Sequence, residues 1–220
     1  MADLRIETAL AVRLPGQPST DGFPADEAWE TAPAIRFSTD WQGKNGDAER
    51  ATEVRLLWNP ELLFIRFEAR YRTITVFAEA EPSGRRDQLW DRDVCEAFLQ
   101  PAGVTGRNYK EFEVAPNGFW IDLDIVDGKK RDLESGLKRC VKADVTAKIW
   151  RAVLALPIRS ITGQFDKRAV WKANFYRVEG EIEPRFYSAW RPTHTPKPNF
   201  HVPEAFGALV FTEAASKIGR

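Results

Sequence analysis

The sequence predicts an all-β protein, specifically an antiparallel β-sandwich of roughly ten strands with minimal helix. Short apolar runs recur along the chain, and several alternate apolar and polar residues with the period of two that a half-buried strand requires. Turn signals rich in Gly, Pro and Asn separate these runs. Aromatic residues make up 12% of the chain, including 8 Trp and 14 Phe, which suits a sandwich core.

The strands are supported best by two hairpin patterns. In residues 62–71, apolar side chains alternate cleanly with charged ones after a turn at Asn59-Pro60. Asn117-Gly118 is a strong short-range hairpin signal between two further alternating runs. Strands are expected at residues 4–12, 37–41, 52–58, 62–71, 94–100, 108–115, 119–126, 138–145, 147–157, 171–178, 186–190 and 206–212.

The remaining segments are expected to be loops with one or two helical turns. Asp26 is expected to cap a short helical turn that directs Trp29 into the core. Residues 158–167 fit a second helical turn, and residues 127–132 fit a solvated loop. The long polar connection 72–92 is of a length that is more often functional than accidental.

Composition limits the classes of function. Lys plus Arg and Asp plus Glu are both 32, so the net charge is zero and the basic excess of a nucleic-acid-binding protein is absent. The 29% charged residues, and the lack of any stretch long and apolar enough for a membrane span, argue against a membrane partner. Residues 1–220 are expected to form a single domain, with its core at about residues 20–212. Nothing in the sequence fixes the oligomeric state.

The cellular compartment and the state of the two cysteines are connected, because disulfides form in oxidising compartments. The N-terminal residues lack the apolar core of a signal peptide, so the chain as written is expected to be cytoplasmic. A trimmed leader would instead make it extracellular or periplasmic. Cys95 and Cys140 form no disulfide framework by themselves, and two buried free thiols are favoured over a pair.

The most informative stretch lies at residues 89–101. Trp90 stands among charged residues, and the apolar run that follows contains Glu96, although an unpaired buried carboxylate is costly. A Trp ring next to charged groups is suited to a sugar, because the ring covers the pyranose face and the charged groups bond to its hydroxyls. For Glu96 three roles remain open: a ligand acceptor, an ion-pair partner of Arg92 or Arg177, or a catalytic acid.

The order and spacing of several motifs resemble the family 9 carbohydrate-binding modules and their stand-alone relatives. The similarity spans about residues 20–212, and no single motif decides it. The matching features are Asp21-Gly22 with Asp26 and Trp29, Val54 to Trp58, Leu62 to Phe67, Leu89-Trp90 with Asp93, Glu96 to Pro101, Tyr109 with Phe112 and Val114, Pro116-Asn117-Gly118, Trp150 with Leu156-Pro157, residues 171–177, and residues 187–193.

The resemblance implies a β-sandwich that holds a sugar, typically the end of a glucan or xylan chain, between two Trp rings. By position, Trp90 matches the first ring and Glu96 the carboxylate that bonds to sugar hydroxyls. Trp190 matches the second ring best, with Trp171 as its rival. The expected partner is therefore an oligosaccharide or polysaccharide, with no cofactor required, although the family also has structural calcium.

Two more ligand candidates lie on the predicted strand 171–178. Asn174 and Arg177 are three residues apart, so strand alternation places them on opposite faces and at most one is expected to reach the sugar. Lys110, Glu111 and Glu113 fit a solvated strand face, although Tyr109 or Glu111 could rim the cleft.

Other chemistries are less well supported by the sequence. A glycoside hydrolase using Glu96 as acid is the alternative to non-catalytic binding, and an interaction scaffold without a sugar ligand is another. His194 and His201 with Glu204 form a weak zinc pattern. Haem ligation through Met and His is disfavoured, because the only Met in the sequence is Met1. The acidic residues Asp91, Asp93, Asp122 and Asp124 lack calcium-loop spacing, so no metal ligand and no catalytic residue is assigned.

Overall fold

The computed structural model describes residues 7–214, and their fold is all-β, as the sequence predicts. Thirteen strands are present in this part of the chain. They are β1 (Thr8–Arg13), β2 (Ile35–Phe37), β3 (Thr52–Trp58), β4 (Leu62–Arg70), β5 (Val94–Gln100), β6 (Tyr109–Val114), β7 (Trp120–Val126), β8 (Lys129–Asp132), β9 (Lys138–Asp144), β10 (Ile149–Pro157), β11 (Trp171–Glu179), β12 (Phe186–Ala189) and β13 (Gly207–Thr212).

Helical structure is limited to single turns. The only α-helix of residues 7–214 is α1, Ile158–Ile161, within the segment where a helical turn is expected. Short 3-10 turns lie at Asp26–Thr31, Ala48–Arg50, Leu89–Asp91 and Pro203–Ala205. Across these described residues, no helix is long and apolar enough to cross a membrane.

Hydrogen bonds join the strands into one continuous sheet. Its order is β8-β7-β6-β5-β11-β13-β1-β3-β4-β10-β9, while β12 pairs with β11 and β2 with β3. Neighbouring strands are antiparallel except around β1, which runs parallel to both β13 and β3. The strand β1 therefore joins the two halves of the sheet, which are each built from hairpins.

The sheet curls so that the inner faces of its two halves enclose the main hydrophobic core. Alternate side chains of β3, β4 and β10 on one side and of β5, β6 and β11 on the other belong to a single buried cluster. Phe67 of β4 and Phe175 of β11, for example, have ring centroids 6.2 Å apart. Burial of apolar surface between the halves is the main contact that holds them together, because strand pairing among the described residues joins them only through β1 and β13.

A second apolar cluster covers the opposite face of the β7-β6-β5-β11 half. It contains the side chains that alternate with the main core, including Phe98 and Tyr176, and loop residues Phe200 and Phe206 pack over them. Phe200 stacks on Tyr176 with ring centroids 4.2 Å apart. The segment that follows β12 is thereby fixed across this face, and it leaves a cavity beside it.

The all-β prediction is confirmed, and several details differ. There are 13 strands rather than about ten, and they form one curled sheet by hydrogen bonding rather than two separate ones. Residues 129–132, expected in a solvated loop, form the exposed edge strand β8, which the charged side chains concealed from pattern reading. Part of the predicted strand 4–12 lies outside the described residues.

Three local expectations have clear outcomes. Trp29 is a core residue as predicted, with 1% of its surface exposed. Asp26 does not cap its helical turn, because Ala25 takes the N-cap position and no side chain bonds to the turn there. Both cysteines are free, as favoured, but only Cys95 is buried, while Cys140 lies half-buried on β9.

Candidate functional site

The candidate site is a cavity of about 340 Å³ on the second-cluster face, between β5, β6, β11 and the segment after β12. Its lining combines aromatic, acidic and basic side chains, which is the mixture that a polar organic ligand requires. The lining residues are Trp90, Asp91, Glu96, Glu111, Glu113, Lys130, Val178, Arg185, Tyr187, Pro198, Asn199, Phe200 and His201.

The floor of the cavity consists of three glutamates, here called the glutamate floor: Glu96 of β5 with Glu111 and Glu113 of β6. Antiparallel pairing sets Glu96 directly opposite Glu113. Glu111 lies two residues from Glu113 and therefore projects from the same face. Their exposed fractions are 2%, 1% and 0%, and one carboxylate oxygen from each lies within 4.8 Å of the others.

Burial dominates the electrostatics of this floor. It raises the pKa of Glu96 well above the usual range, and the neighbouring Glu111 carboxylate raises it further. Burial likewise raises the pKa of Glu113, with Glu96 and Glu111 adding to the effect and Lys130 opposing it. Among the described residues no hydrogen-bond partner reaches Glu96 Oε1, Glu111 Oε2 or either carboxylate oxygen of Glu113.

Trp90 forms one wall of the cavity. It lies in the 3-10 turn Leu89–Asp91, whose Leu89 is fully buried in the second cluster and anchors the turn. The Trp90 ring is half-buried, and the Nζ atom of Lys130 from β8 lies 3.4 Å from its centroid. The long connection 72–92 therefore delivers an aromatic ring to the cavity, as the sequence suggests.

Tyr187 on β12 forms another part of the aromatic lining. The pairing of β12 with β11 sets Tyr187 opposite Val178, which also lines the cavity. Its ring is half-buried and lies under the Arg185 guanidinium, whose carbon is 4.8 Å from the ring centroid. Arg185 in turn donates a hydrogen bond of 2.9 Å to the Trp90 carbonyl oxygen, which ties the two aromatic walls together.

His201 closes the cavity near Glu111. Its Nδ1 atom lies 2.6 Å from the Tyr109 hydroxyl and 3.8 Å from Glu111 Oε2. Burial lowers the pKa of His201, and the Glu111 carboxylate opposes this shift. The imidazole shares a hydrogen bond with the Tyr109 hydroxyl and, with its lowered pKa, contributes no positive charge to the cavity at neutral pH.

The structure brings Trp90 and Glu96 to the same cavity, but it does not bring Trp190 there. Trp190 is 9% exposed and packs in the main core against Phe175, with ring centroids 5.6 Å apart. It borders a different cavity near Ile35–Phe37. The rival Trp171 is also a core residue, 1% exposed against Phe211. Trp190 therefore is not a wall opposite Trp90.

Asn174 and Arg177 lie on opposite faces of β11, as strand alternation predicts, and neither lines the cavity. Asn174 is fully buried and uses its amide to fasten Arg191: Nδ2 donates to the Arg191 carbonyl at 2.8 Å and Oδ1 accepts from its N–H at 3.0 Å. Arg177 is fully buried in the main-core face, where it pairs with Glu179 at 3.3 Å and Asp93 at 3.6 Å. The sequence-based option of a Glu96–Arg177 ion pair is thus not realised.

Sequence reasoning missed most of the cavity. The sequence favours one solvated face for Lys110, Glu111 and Glu113, with Glu111 at the cleft rim as the alternative. Alternation puts Lys110 on the other face, where it pairs with Asp124 at 2.6 Å. The useful signal was their spacing of two on the strand next to Glu96. Tyr187, Lys130 and Arg185 carried no signal, because their position depends on how three loops fold over the sheet.

Three of the four acidic residues considered for calcium are engaged in other contacts. Asp93 accepts a hydrogen bond from the Gly180 N–H at 2.7 Å and faces Arg177, and Asp124 pairs with Lys110. Asp122 accepts from the Ser135 N–H at 2.7 Å. Within residues 7–214, the group of acidic or imidazole side chains close enough to share a cation is the glutamate floor.

Comparison with known proteins identifies the family. The model of carbohydrate-binding family 9 matches residues 53–211, which include every strand from β4 to β12 and the whole glutamate floor. The chain belongs to carbohydrate-binding family 9. The resemblance found in the order and spacing of the sequence motifs is therefore confirmed.

Relatives of this family 9 chain are distant. An "Extracellular protein" of Arthroderma benhamiae is 24% identical over 178 residues, which cover 73% of this chain and 78% of the relative. A protein of Bacteroides uniformis whose carbohydrate-binding role is itself inferred has a similar fold, with a TM-score of 0.72 and 16% identity over 93% of this chain and 99% of its own.

A family 9 module of Caldicellulosiruptor kristjanssonii, solved with cellotriose, is also similar. Its TM-score is 0.65 at 13% identity, covering 97% of this chain and 98% of its own. A family 9 module of the same organism, solved with glucose, gives a TM-score of 0.64 at 14% identity, covering 97% of this chain and 100% of its own. At these identities the likeness establishes the fold.

Proposed function

We propose that this family 9 protein binds carbohydrate without cleaving it, holding one sugar of a glucan- or xylan-type chain in the cavity above the glutamate floor. The observation that carries the proposal is that half-buried Trp90 and Tyr187 line the same cavity as buried hydrogen-bonding carboxylates. Aromatic rings cover the apolar C–H faces of a pyranose, and carboxylates accept hydrogen bonds from its hydroxyls.

The aromatic pair of the proposal is Trp90 with Tyr187, in place of the Trp90–Trp190 pair suggested by resemblance. Each ring is expected to contribute about 1 kcal/mol to binding, by analogy with aromatic contacts in proteins. Two rings and several hydrogen bonds correspond to at best micromolar affinity, a binding free energy of about −8 kcal/mol.

The position of the carboxylates supports binding rather than hydrolysis. Glycosidases place two carboxyl groups on either side of the scissile bond, about 5 to 10 Å apart. Here Glu96, Glu111 and Glu113 project from neighbouring strands at one end of the cavity, and their oxygens lie within 4.8 Å of one another. Such a cluster contacts one edge of a sugar, so it does not flank a glycosidic bond.

The test is calorimetric titration with glucose, cello-oligosaccharides and xylo-oligosaccharides. Trp90→Ala is expected to lower the affinity about five- to tenfold. Trp120→Ala is the matched control, because Trp120 is also half-buried under a cationic side chain, Arg139, but lies outside the cavity. Absence of binding to every sugar, or equal losses in both variants, would refute the proposal.

A turnover assay distinguishes non-catalytic binding from the hydrolase alternative. An activated aryl glycoside is expected to remain intact with the wild-type protein. Hydrolysis that disappears in Glu96→Gln would replace non-catalytic binding by glycosidase activity with Glu96 as the acid.

We also propose that the protein meets its polysaccharide outside the cytoplasm. The support is the extracellular description of the Arthroderma relative. Fractionation of native cells with an antibody to the chain tests this, and recovery in the cytoplasm alone would contradict it.

A further inference from the structure

The glutamate floor is unusual as the base of a cavity for a neutral sugar. Glu113 is 0% exposed, lines the cavity, and has no hydrogen-bond partner on either oxygen among the described residues. Ionised carboxylates at this depth are costly, so burial keeps Glu96 and Glu113 protonated, with pKa values well above the usual range. A cation at the point where the three side chains converge stabilises their ionised form and is bound with release of these protons, whereas a neutral hydroxyl supplies no such charge.

The cationic side chains at the cavity do not occupy this point. The Arg185 guanidinium donates to the Trp90 carbonyl oxygen at 2.9 Å and to Glu183 at 3.2 Å, so it is fixed at the rim. The Lys130 ammonium lies on the Trp90 ring, and no carboxylate of residues 7–214 forms an ion pair with it. The lining contains four acidic residues and these two cations, so it is acidic in total.

Lys130 shows what the cavity attracts. Its Nζ atom lies 3.4 Å from the Trp90 centroid, a cation–π contact made by an ammonium group beside buried carboxylates. Lys130 extends from β8, an edge strand whose four residues are all exposed, and it has a long flexible side chain. Its ammonium group thus occupies the face of Trp90 that a ligand would cover, and it can move aside into solvent.

We propose that the cavity is selective for an amino sugar, a hexose with a free, protonated amine, whose ammonium group binds to Glu96, Glu111 and Glu113. The sugar ring packs on Trp90 and displaces Lys130, which acts as a tethered competitor. This inference rests on the proposed function and adds the class of sugar to it. A divalent cation would use the same oxygens, and the experiment below distinguishes it.

The experiment is calorimetric titration with three matched disaccharides, each at a pH where amines are protonated. They are β-1,4-linked glucosamine, its N-acetylated counterpart, which has the same ring and no charge, and cellobiose. The glucosamine disaccharide is expected to bind at least tenfold more tightly than either neutral one. Equal affinities would overturn the amino-sugar inference and leave carbohydrate binding intact, whereas no binding by any of the three would refute both.

Two variants test the residues. Glu113→Gln is expected to bring the affinity for the glucosamine disaccharide close to that for the neutral disaccharides. Glu68→Gln is the control, because Glu68 of β4 pairs with Arg151 of β10, outside the cavity. Lys130→Met, at an exposed position where folding is not at risk, is expected to tighten glucosamine binding severalfold. Weaker binding by Lys130→Met would show that Lys130 holds the ligand and would overturn its role as a competitor.

Calcium titration completes the test. Under the proposal, Ca²⁺ at millimolar concentration does not enhance sugar affinity, and any calcium binding by the protein is the same in Glu113→Gln as in wild type. Calcium binding that Glu113→Gln abolishes, together with no preference for the amine, would show that the glutamate floor is a metal site and would overturn the inference.

Discussion

At the residue scale, the ring and the hydroxyl of Tyr187 are expected to contribute differently to sugar binding. Its ring lines the cavity, while its hydroxyl bonds to Glu183 on the exposed turn before β12. Tyr187→Ala is therefore expected to weaken sugar binding about five- to tenfold, the value of one aromatic contact of about 1 kcal/mol or slightly more. Tyr187→Phe retains the ring and is expected to stay within about twofold of wild type in calorimetric titration. A loss in Tyr187→Phe as large as that in Tyr187→Ala would contradict stacking.

Asn174 is expected to act on stability rather than on binding. Its amide makes bonds of 2.8 to 3.0 Å to Tyr176, Phe175 and both backbone groups of Arg191. Asn174→Ala leaves these buried groups unpaired and is expected to lower the free energy of unfolding by about 1 to 3 kcal/mol. Chemical denaturation measures this, and calorimetry at a temperature where the variant is folded is expected to give wild-type sugar affinity. A large loss of sugar affinity in the folded variant would show that Asn174 takes part in binding.

At the element scale, β13 packs against Trp190 through a glycine. A Cβ atom on Gly207 would lie 2.7 Å from Trp190 Cη2 and 2.8 Å from the Glu7 carbonyl oxygen. Gly207→Ala is therefore expected to destabilise the fold by about 1 to 3 kcal/mol, because the core Trp must shift. Gly163→Ala is the matched control, since no atom lies within 4 Å of its added Cβ. Thermal unfolding of both variants checks this, and equal stabilities would contradict the packing of Trp190 described above.

Also at the element scale, strand patterns were readable where one face of a strand is buried. The bounds of β3 and β5 agree with the predicted ones, because apolar runs and the following Asn59 or Pro101 mark their ends. The edge strand β8 was not readable, since all four of its residues are exposed and charged. Nothing apolar marks such a strand, and its pairing with β7 is a consequence of the turn that precedes it.

At the scale of the whole molecule, the glutamate floor makes stability depend on pH. Below about 4.5, the ordinary value for Glu, Glu96 and Glu113 are protonated in both states. As the pH rises, the unfolded chain releases these protons while the folded protein, with raised pKa values, retains them, so its stability falls. The protein is therefore expected to lose stability from pH 5 to pH 8 through these two groups.

Denaturation of Glu113→Gln across this range checks the prediction. The variant is expected to show a smaller loss of stability with rising pH than wild type; His201, whose lowered pKa has the opposite effect, is present in both proteins. Glu53→Gln is the control. Partial burial raises the Glu53 pKa, but the hydrogen bonds and positive charges of Arg55 and Arg36 together outweigh it and leave that pKa low, so the pH 5–8 slope is expected to be unchanged. Identical slopes in wild type and Glu113→Gln would contradict the prediction.

The sequence by itself determined the all-β class, the family, and two members of the cavity, Trp90 and Glu96. These depend on local periodicity and on an ordered set of motifs, which one chain displays directly. The tertiary structure decided the rest. Trp190 is buried because the two sheet halves close over it, whereas Tyr187 reaches the cavity because β12 pairs with β11. Glu111 and Glu113 join Glu96 through cross-strand register, and such long-range pairing is set by the fold of the whole sheet rather than by any one stretch.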